Sequence, residues 1–539
     1  MWQQVYNPLG SVTLSALVAA IPVATFLLAL TLFRLKGTNA ALIALGVAVV
    51  TAAAVFGMPP TAIAGAALYG ILNGLWPIGW IVLMAVWLYR IAVKSGKFEV
   101  IRGSIASVSR DQRIQVLLIA FCFGAFLEGA AGFGIPIAIC SALLVELGFK
   151  PLRAAMLCLV ANAASGAYGA IGIPIIVGAQ QGGVTLDAMA VMLILIVQLS
   201  TLFVPALLVA ILDGFRGLRE TWPVVLMVGA LFSISQSLVL YALGPWLVDI
   251  IPPVLAMAAL AGFMRLWSPR HIYRESDAAE VADRQWGIAE VIRAWSPFYI
   301  LTAMILLWSL PPFRALFAAG GPLAWTTLAL PTPGLHQQVM ALPPIVGEAT
   351  PLAAVWNLNL VSAAGSAIAL SALLTTAFTP SIGWRQSGEQ LVQTWRELWK
   401  PIVMICLVMA VAYITNFAGA SSAMGLALAQ SGQLFPLFSP VIGWLGVFIT
   451  GSVVNNNVLF ANLQAVTAQQ IGTTPALLVA ANTAGGVMAK LISPQSIAIA
   501  AAAVGLVGNE ADITRTTLRF SLALLLYTCV WTLLLSLLL

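Results

Sequence analysis

Charge is what this sequence has least of. Asp, Glu, Lys and Arg make up 8% of its 539 residues, against 61% apolar, where a soluble domain carries about 25% charge. That scarcity excludes a water-soluble enzyme, a disordered scaffold and a nucleic-acid partner. The net charge of +6 is spread thinly between apolar runs, as the positive-inside bias produces. Two histidines, His271 and His336, have no spaced partners, so no metal site is expected. The five cysteines (Cys122, Cys140, Cys158, Cys406, Cys529) all fall inside apolar stretches, which makes them small packing residues rather than a disulfide framework. No glycine-rich loop ends in Gly-Lys-Ser/Thr, so ATP hydrolysis has no support and no cofactor is implied. The chain does not read as an enzyme.

What the sequence has in excess is apolar length. At ~20 residues per crossing it suits about 11 to 14 transmembrane helices. The expected fold is an all-α polytopic membrane protein, with the lipid bilayer as its surroundings. Met1 to Phe33 lacks a basic lead and a small-residue cleavage site, and is expected to be a retained helix rather than a signal peptide. Basic clusters at Arg34 and Lys36, Arg90 through Arg113, Lys150 and Arg153, Arg216 and Arg219, Arg265 through Arg293, Arg385 through Lys400, and Arg515 and Arg519 mark cytoplasmic loops. Ser268 to Glu290, with Asp277, Glu280, Asp283 and Arg284, is expected to be a cytoplasmic loop joining two halves. The chain divides into N-terminal helices (1–59), a first repeat (60–213), middle helices with the loop (214–384), a second repeat (385–510) and a C-terminal helix (511–539).

The repeat is internal and ordered. Trp76-Pro77-Ile78 resembles Trp399-Lys400-Pro401-Ile402, and Tyr89 matches Tyr413. Gly124 to Gly129 resembles Gly446 to Gly451, and Asn162 to Gly166 with Pro174 resembles Asn482 to Gly486 with Pro494. The separation stays between 320 and 324 residues throughout. Paired segments interrupted by Gly and Pro in two halves point to a transporter binding site. Charge indicates inversion. Gln115 to Gly148 is flanked by Arg110, Arg113, Lys150 and Arg153 and turns at Glu128 to Gly134, so both its ends are cytoplasmic. Val441 to Gly472 turns at Thr450 to Asn457, and no Lys or Arg lies between Lys400 and Lys490, so this hairpin opens outward. Two re-entrant hairpins are therefore expected, each followed by an interrupted helix, Asn162 to Pro174 and Asn482 to Pro494. Broken backbone at that depth survives only inside protein or beside a polar cavity. The plainer alternative is glycine-mediated helix packing.

Few residues in these segments can do chemistry. Lys490 has apolar sequence on both sides, and an ammonium at membrane depth costs about 3 kcal/mol on insertion scales. It reads as the electrostatic partner of an anionic substrate, with a snorkelling lysine as the alternative. Freed helix N-termini near Asn162, Ser165 and Gly166, and near Asn482, Thr483, Gly485 and Ser493, would add N–H donors to a carboxylate. Tyr168 and Gln495 offer further polar contacts. Asn455, Asn456 and Asn457 cannot titrate and either bind substrate oxygens or cap a helix. Glu128 reads as the proton carrier, since withdrawal from water disfavours the charged carboxylate and suits it to take up and release a proton, or else as a carboxylate that only accepts hydrogen bonds from the hairpin-tip amides. Glu348 joins it as a second coupling candidate, with helix N-terminal placement as the more ordinary role.

These stretches resemble the bacterial L-lactate permease family. The resemblance rests on Leu75-Trp-Pro-Ile78, Phe121 to Gly134, Gly148-Phe-Lys-Pro151, Pro311-Pro-Phe313, Trp444 to Phe448, Ile492 to Ala500 and Ala503 to Gly508, and extends over essentially the whole chain. It implies a secondary carrier of lactate or glycolate in symport with a proton, sodium being the other coupling ion. It also implies an elevator-like movement of a hairpin core in a bacterial inner membrane. Three places depart from the family pattern. An expected Asp at the second hairpin turn is Val453, Asn-Thr-Ala-Pro becomes Asn162-Ala-Ala-Ser165, and Ser-Glu-Ala-Thr becomes Gly347-Glu-Ala-Thr350. A passive anion channel and a non-transporting sensor are the competing readings from other classes.

Overall fold

The computed structural model describes residues 1–33, 35–132, 134–275, 287–318, 320–346, 348–507 and 509–539. Arg34, Gly347, Gly508, Asp277, Glu280, Asp283 and Arg284, named above, lie outside the described residues. The chain is 75% helical. Ten described helices are long and apolar enough to cross a bilayer, or up to twelve spans if each of two bent pairs is one.

The chain opens with α1 (Val12–Ala19), capped by Ser11 Oγ, then α2 (Ile21–Thr31) and α3 (Gly37–Ala54). Next, α4 (Pro60–Asn73) runs through a widened π-type turn at Gly74–Gly79 into α5 (Trp80–Lys94), followed by α6 (Lys97–Ala106). The first hairpin is α7 (Gln112–Val116), a widened turn at Leu117–Phe123, α8 (Gly124–Ala130) and α9 (Ile135–Glu146). Its tight reversal uses Gly132 and Gly134 at φ 58° and 83°, a region that L side chains avoid. Then α10 (Pro151–Ala161) and α11 (Gly169–Gly182) meet at a 46° bend.

At 58 residues, α12 (Leu186–Leu243) is far longer than one crossing needs. It folds back on itself at Gly214 (φ 64°). Ser233 Oγ donates to the Gln198 carbonyl at 2.8 Å, and Gly229 lies so close to the Leu202 carbonyl that an added Cβ would sit 2.5 Å from it. After α13 (Ile251–Phe263) come α14 (Ile288–Ala294), α15 (Ser296–Ser309) and α16 (Pro311–Ala315).

The segment that follows corrects a purely α reading. β1 (Trp2–Gln3) pairs in parallel with β3 (Val339–Ala341), which pairs antiparallel with β4 (Thr350–Pro351). β2 (Thr327–Pro331) pairs antiparallel with β5 (Val355–Asn359). Glu348 lies here, exposed and just before β4; it does not open a helix, because the prolines and β-branched residues around it favour extended backbone.

The second half comprises α17 (Ala364–Ala377), α18 (Trp384–Phe417), α19 (Ala420–Ala429), and the second hairpin α20 (Phe435–Thr450) and α21 (Val453–Ile471). It closes with α22 (Pro475–Lys490), α23 (Pro494–Ala503) and α24 (Glu510–Leu538).

The repeats cross antiparallel. Cβ atoms added at Gly70, Gly74 and Gly79 would run into Ala410, Cys406 and Ile402 in turn, so α4 and the start of α5 descend as α18 ascends. The crossing brings Gly79 onto Ile402, the repeat equivalent of its neighbour Ile78. Contacts are also reciprocal: Gly134 abuts Ile499, and Gly178 abuts Asn457. Shifting either pair by the repeat separation generates the other to within a residue. Such exchange of partners is the mark of two-fold symmetry, and here it relates two halves of one chain.

The glycines in α20 and α22 serve close packing. A Cβ at Gly443 would collide with the Asn482 carbonyl, and one at Gly485 with the Pro440 carbonyl. Both obstacles are backbone and cannot rotate away. Gly485→Ala is therefore expected to destabilise the fold by at least ~1–3 kcal/mol, read as a lower melting temperature and a smaller monodisperse peak in detergent.

At one end of the bundle the basic clusters converge. Arg113, with its side chain 1% exposed, bonds Asp111 (2.8 Å), Asp213 (3.0 Å) and Glu220 (2.9 Å) and donates to the His271 carbonyl. Glu275 bonds Arg153 at 2.7 Å and accepts from the Lys150 amide. The two ends of the first hairpin, the α12 reversal and the chain after α13 thus share one face, as the charge pattern predicts. Arg113→Ala would strand the buried Asp111, an expected cost of about 3–5 kcal/mol. Arg113→Lys is expected to recover little of it in a thermal melt, because one ammonium cannot replace a planar fork.

Candidate functional site

Glu128 occupies the last turn of α8, one turn earlier than the reversal itself. The helix runs on to Ala130 because Ala125 and Leu127 are good helix formers and the whole turn, Phe126 included, is packed on all sides. Its carboxylate is 2% exposed and is met from two other elements. Lys490 Nζ donates to Oε1 at 2.5 Å, and Asn162 Nδ2 donates to Oε2 at 2.9 Å. Gly169 backs the group so closely that a Cβ there would collide with Oε1. Lys490 ends α22, where the helix dipole favours a cation. Its 9% exposure leaves Glu128 to supply the compensating charge. Neither ion would be tolerated at that depth without the other.

The wall beside this pair is strained. After the short turn Asn162–Ala164 the chain loosens at Ser165 to Tyr168, and Ala170, Ile171 and Gly172 then take φ 46°, 59° and 76°. Non-glycine residues in that region cost about 1–2 kcal/mol each, and such outliers collect at functional sites. Gly172 is needed there, since a Cβ would lie 2.5 Å from that of Pro245. Ser165 is buried and turns back to the Asn162 carbonyl. Gly166 seats the turn on Val487 of α22, and the Tyr168 hydroxyl accepts from Gln198 at 3.1 Å.

The second cluster lies two turns back along α22. Asn482 Nδ2 and Thr483 Oγ1 both donate to Asn457 Oδ1 at 3.0 Å, and Asn457 Nδ2 reaches the Pro174 carbonyl of α11 at 2.8 Å. Asn457 therefore ties the two repeats together with its bonding capacity largely used. Asn456 donates weakly to the Asn482 carbonyl. The Oδ1 atoms of Asn455, Asn456 and Asn162 are buried without a hydrogen-bond partner.

Three expectations need correction. Asn455 to Asn457 lie inside α21, not in the hairpin turn, which is Gly451 and Ser452; Ser452 Oγ performs the capping. Asn482 to Gly485 do not begin a half-helix, because α22 is continuous to Lys490 and its glycines pack rather than break. The interruption falls at Leu491 to Ser493, where Ser493 Oγ caps α23. Gly485 faces the Pro440 backbone. Gln495 is exposed beside Gly451, and Glu348 is exposed near β4; neither joins the buried pair. Asp249 is the residue the sequence reading missed. It is 1% exposed, and a Cβ at Gly129 would lie 2.6 Å from its own. The available signal was a lone acid in the apolar run Trp246 to Pro253.

A family model described as L-lactate permease matches residues 15–539. The chain belongs to the L-lactate permease family. Similar members include the L-lactate permease of Halalkalibacterium halodurans, 48% identical with all of both chains covered. The L-lactate permease of Escherichia coli K12 is 47% identical, covering 98% of this chain and 97% of the relative. The glycolate permease of the same strain is 45% identical, covering 97% and 95%. Among solved structures, the YdaH transporter of Alcanivorax borkumensis aligns with 15% identity over 86% of each chain (TM-score 0.43). MtrF of Neisseria gonorrhoeae aligns with 16% identity over 86% of this chain and 82% of its own (TM-score 0.45). The site described here thus belongs to a multi-pass permease-family protein.

Proposed function

We propose that this protein carries a small monocarboxylate, a 2-hydroxy acid of the lactate or glycolate kind, across a bacterial cytoplasmic membrane together with a proton. The observation that carries the reading is the buried Glu128–Lys490 pair, held where the two repeats meet. A substrate carboxylate reaching Lys490 takes the place of the Glu128 carboxylate. Glu128, still buried, is then an unpaired anion, and taking up a proton is the least costly outcome. One anion and one proton enter together, and the charge of the site stays constant. The unpartnered amide oxygen of Asn162 gives protonated Glu128 an acceptor if the amide turns over. The names of the relatives support lactate and glycolate as the first compounds to try.

With both charges buried, access to the pair is closed in this structure, so carriage requires movement. We assign it to the two hairpins and their following helices shifting against α3, α4, α5 and α18, which alternately exposes the pair. The test is uptake of labelled L-lactate into proteoliposomes with an imposed inside-alkaline pH gradient and no sodium. Accumulation against the lactate gradient is expected. Flux that only equilibrates lactate would overturn the carrier reading in favour of a channel, and a strict sodium requirement would overturn the coupling ion.

A further inference from the structure

Asp249 stands apart from the pair just described, in the short connection between α12 and α13. Gln236 Nε2 of α12 donates to its Oδ1 at 2.9 Å and shares itself with the Ala164 carbonyl at 3.3 Å. Oδ2 is buried and has no partner. The ionisable groups near enough to act on its charge are Glu128 on α8, whose neighbour Gly129 abuts Asp249, Lys490 on α22 and Tyr168 ahead of α11, while α12 contributes the neutral Gln236. The single ammonium among them is bound to Glu128. Two buried carboxylates therefore share one cation. If both were ionised the site would hold a net negative charge, with the surplus on the group that has only one neutral donor.

We propose that Asp249 is a third member of the site, a carboxylic acid that keeps its proton through the cycle and offers it as a hydrogen-bond donor to the carried carboxylate. The assignment rests on the proposed carriage of a monocarboxylate and makes it more specific. In the empty site Glu128 is charged, Lys490 is charged and Asp249 is neutral. In the loaded site the substrate carboxylate holds Lys490 and Glu128 has gained a proton. Asp249 releasing its own proton at that moment would only recreate an unpaired buried anion, so it does not release it. Its O–H, without an acceptor in the empty site, is a buried donor whose cost of about 1–3 kcal/mol is relieved when a substrate oxygen arrives. Two acids and one lysine then move one proton per anion.

Infrared spectra of purified wild type and Asp249→Asn at pH 7 test the protonation state whatever the substrate proves to be. The difference is expected to show loss of a protonated-carboxyl C=O stretch. Loss of ionised-carboxylate bands instead would overturn the proposal and leave the transport reading untouched. Transport tests the donor. Asn supplies an N–H in place of the O–H, so Asp249→Asn is expected to keep lactate counterflow and pH-driven uptake within about threefold of wild type. Asp249→Leu supplies no donor and is expected to raise the KM for lactate about tenfold or more. A Leu variant with unchanged KM, or an Asn variant that retains counterflow but loses pH-driven uptake, would overturn it. Should the Leu variant not fold, the Asn variant and the infrared difference decide. If wild type moves no lactate, the substrate reading fails and the infrared result still stands for Asp249.

Discussion

Lys490→Ala is expected to raise the KM for lactate by roughly 100-fold or more, the equivalent of the 3–5 kcal/mol that follows when one member of a buried pair is removed. Two losses accompany the substitution, one of affinity and one of stability. The substrate carboxylate loses its cation, and Glu128 is left beside Asp249 with only the Asn162 amide to offset its charge. The second loss can be separated from the first. Adding Glu128→Gln to Lys490→Ala removes the stranded charge, so the double variant is expected to regain thermal stability without regaining lactate affinity. A double variant as unstable as Lys490→Ala would mean that the lysine acts through packing. Normal lactate affinity in the single variant would take Lys490 out of the site.

The second large effect concerns coupling. Glu128→Gln keeps the shape and a donor but cannot exchange a proton, so lactate counterflow between equal pools is expected to persist. Accumulation driven by a pH gradient is expected to fall to the equilibrium level, and the uptake rate to lose its dependence on external pH. Wild type should do both, with uptake rising as the outside is acidified, because the proton taken up by Glu128 is what lets the substrate carboxylate hold Lys490. A Gln variant that still accumulates lactate would move the exchangeable proton elsewhere. Loss of counterflow together with accumulation would mark Glu128 as structural.

Much of this arrangement was legible in the sequence because charge inside a membrane is costly and therefore informative. Lys490 and Glu128 stood out as ionisable residues in apolar surroundings, and they meet. The ordered repeat, with the absence of Lys and Arg between Lys400 and Lys490, pointed to inversion, and the antiparallel crossing of Gly70, Gly74 and Gly79 over α18 agrees with it. Other features were hidden for physical reasons. Glycine pairs serve breaks and close packing equally well, so Gly485 read as an interruption although it admits the Pro440 backbone. Glu348 sits in an apolar tract whose prolines send it into short strands. Asp249 escaped notice because it has no counterpart in the repeat, and the repeat directed the search. Val453, where the family pattern has an acid, proves to be a buried first residue of α21. On the coupling proposed above, proton handling then falls to Glu128 of the other hairpin.

The two equivalent helices are not equally bent. Residues 151–182 break by 46°, whereas 475–503 run as one apolar span. Two repeat-related segments thus take different shapes in one molecule. If the copies traded shapes, the break would pass to the second half and the first would straighten, while the contacts Gly134 to Ile499 and Gly178 to Asn457 exchanged roles. The result would be the same molecule turned over with respect to the membrane. On the carriage proposed above, such an exchange would need no packing that the chain does not already contain: each half would hold the template for what the other becomes.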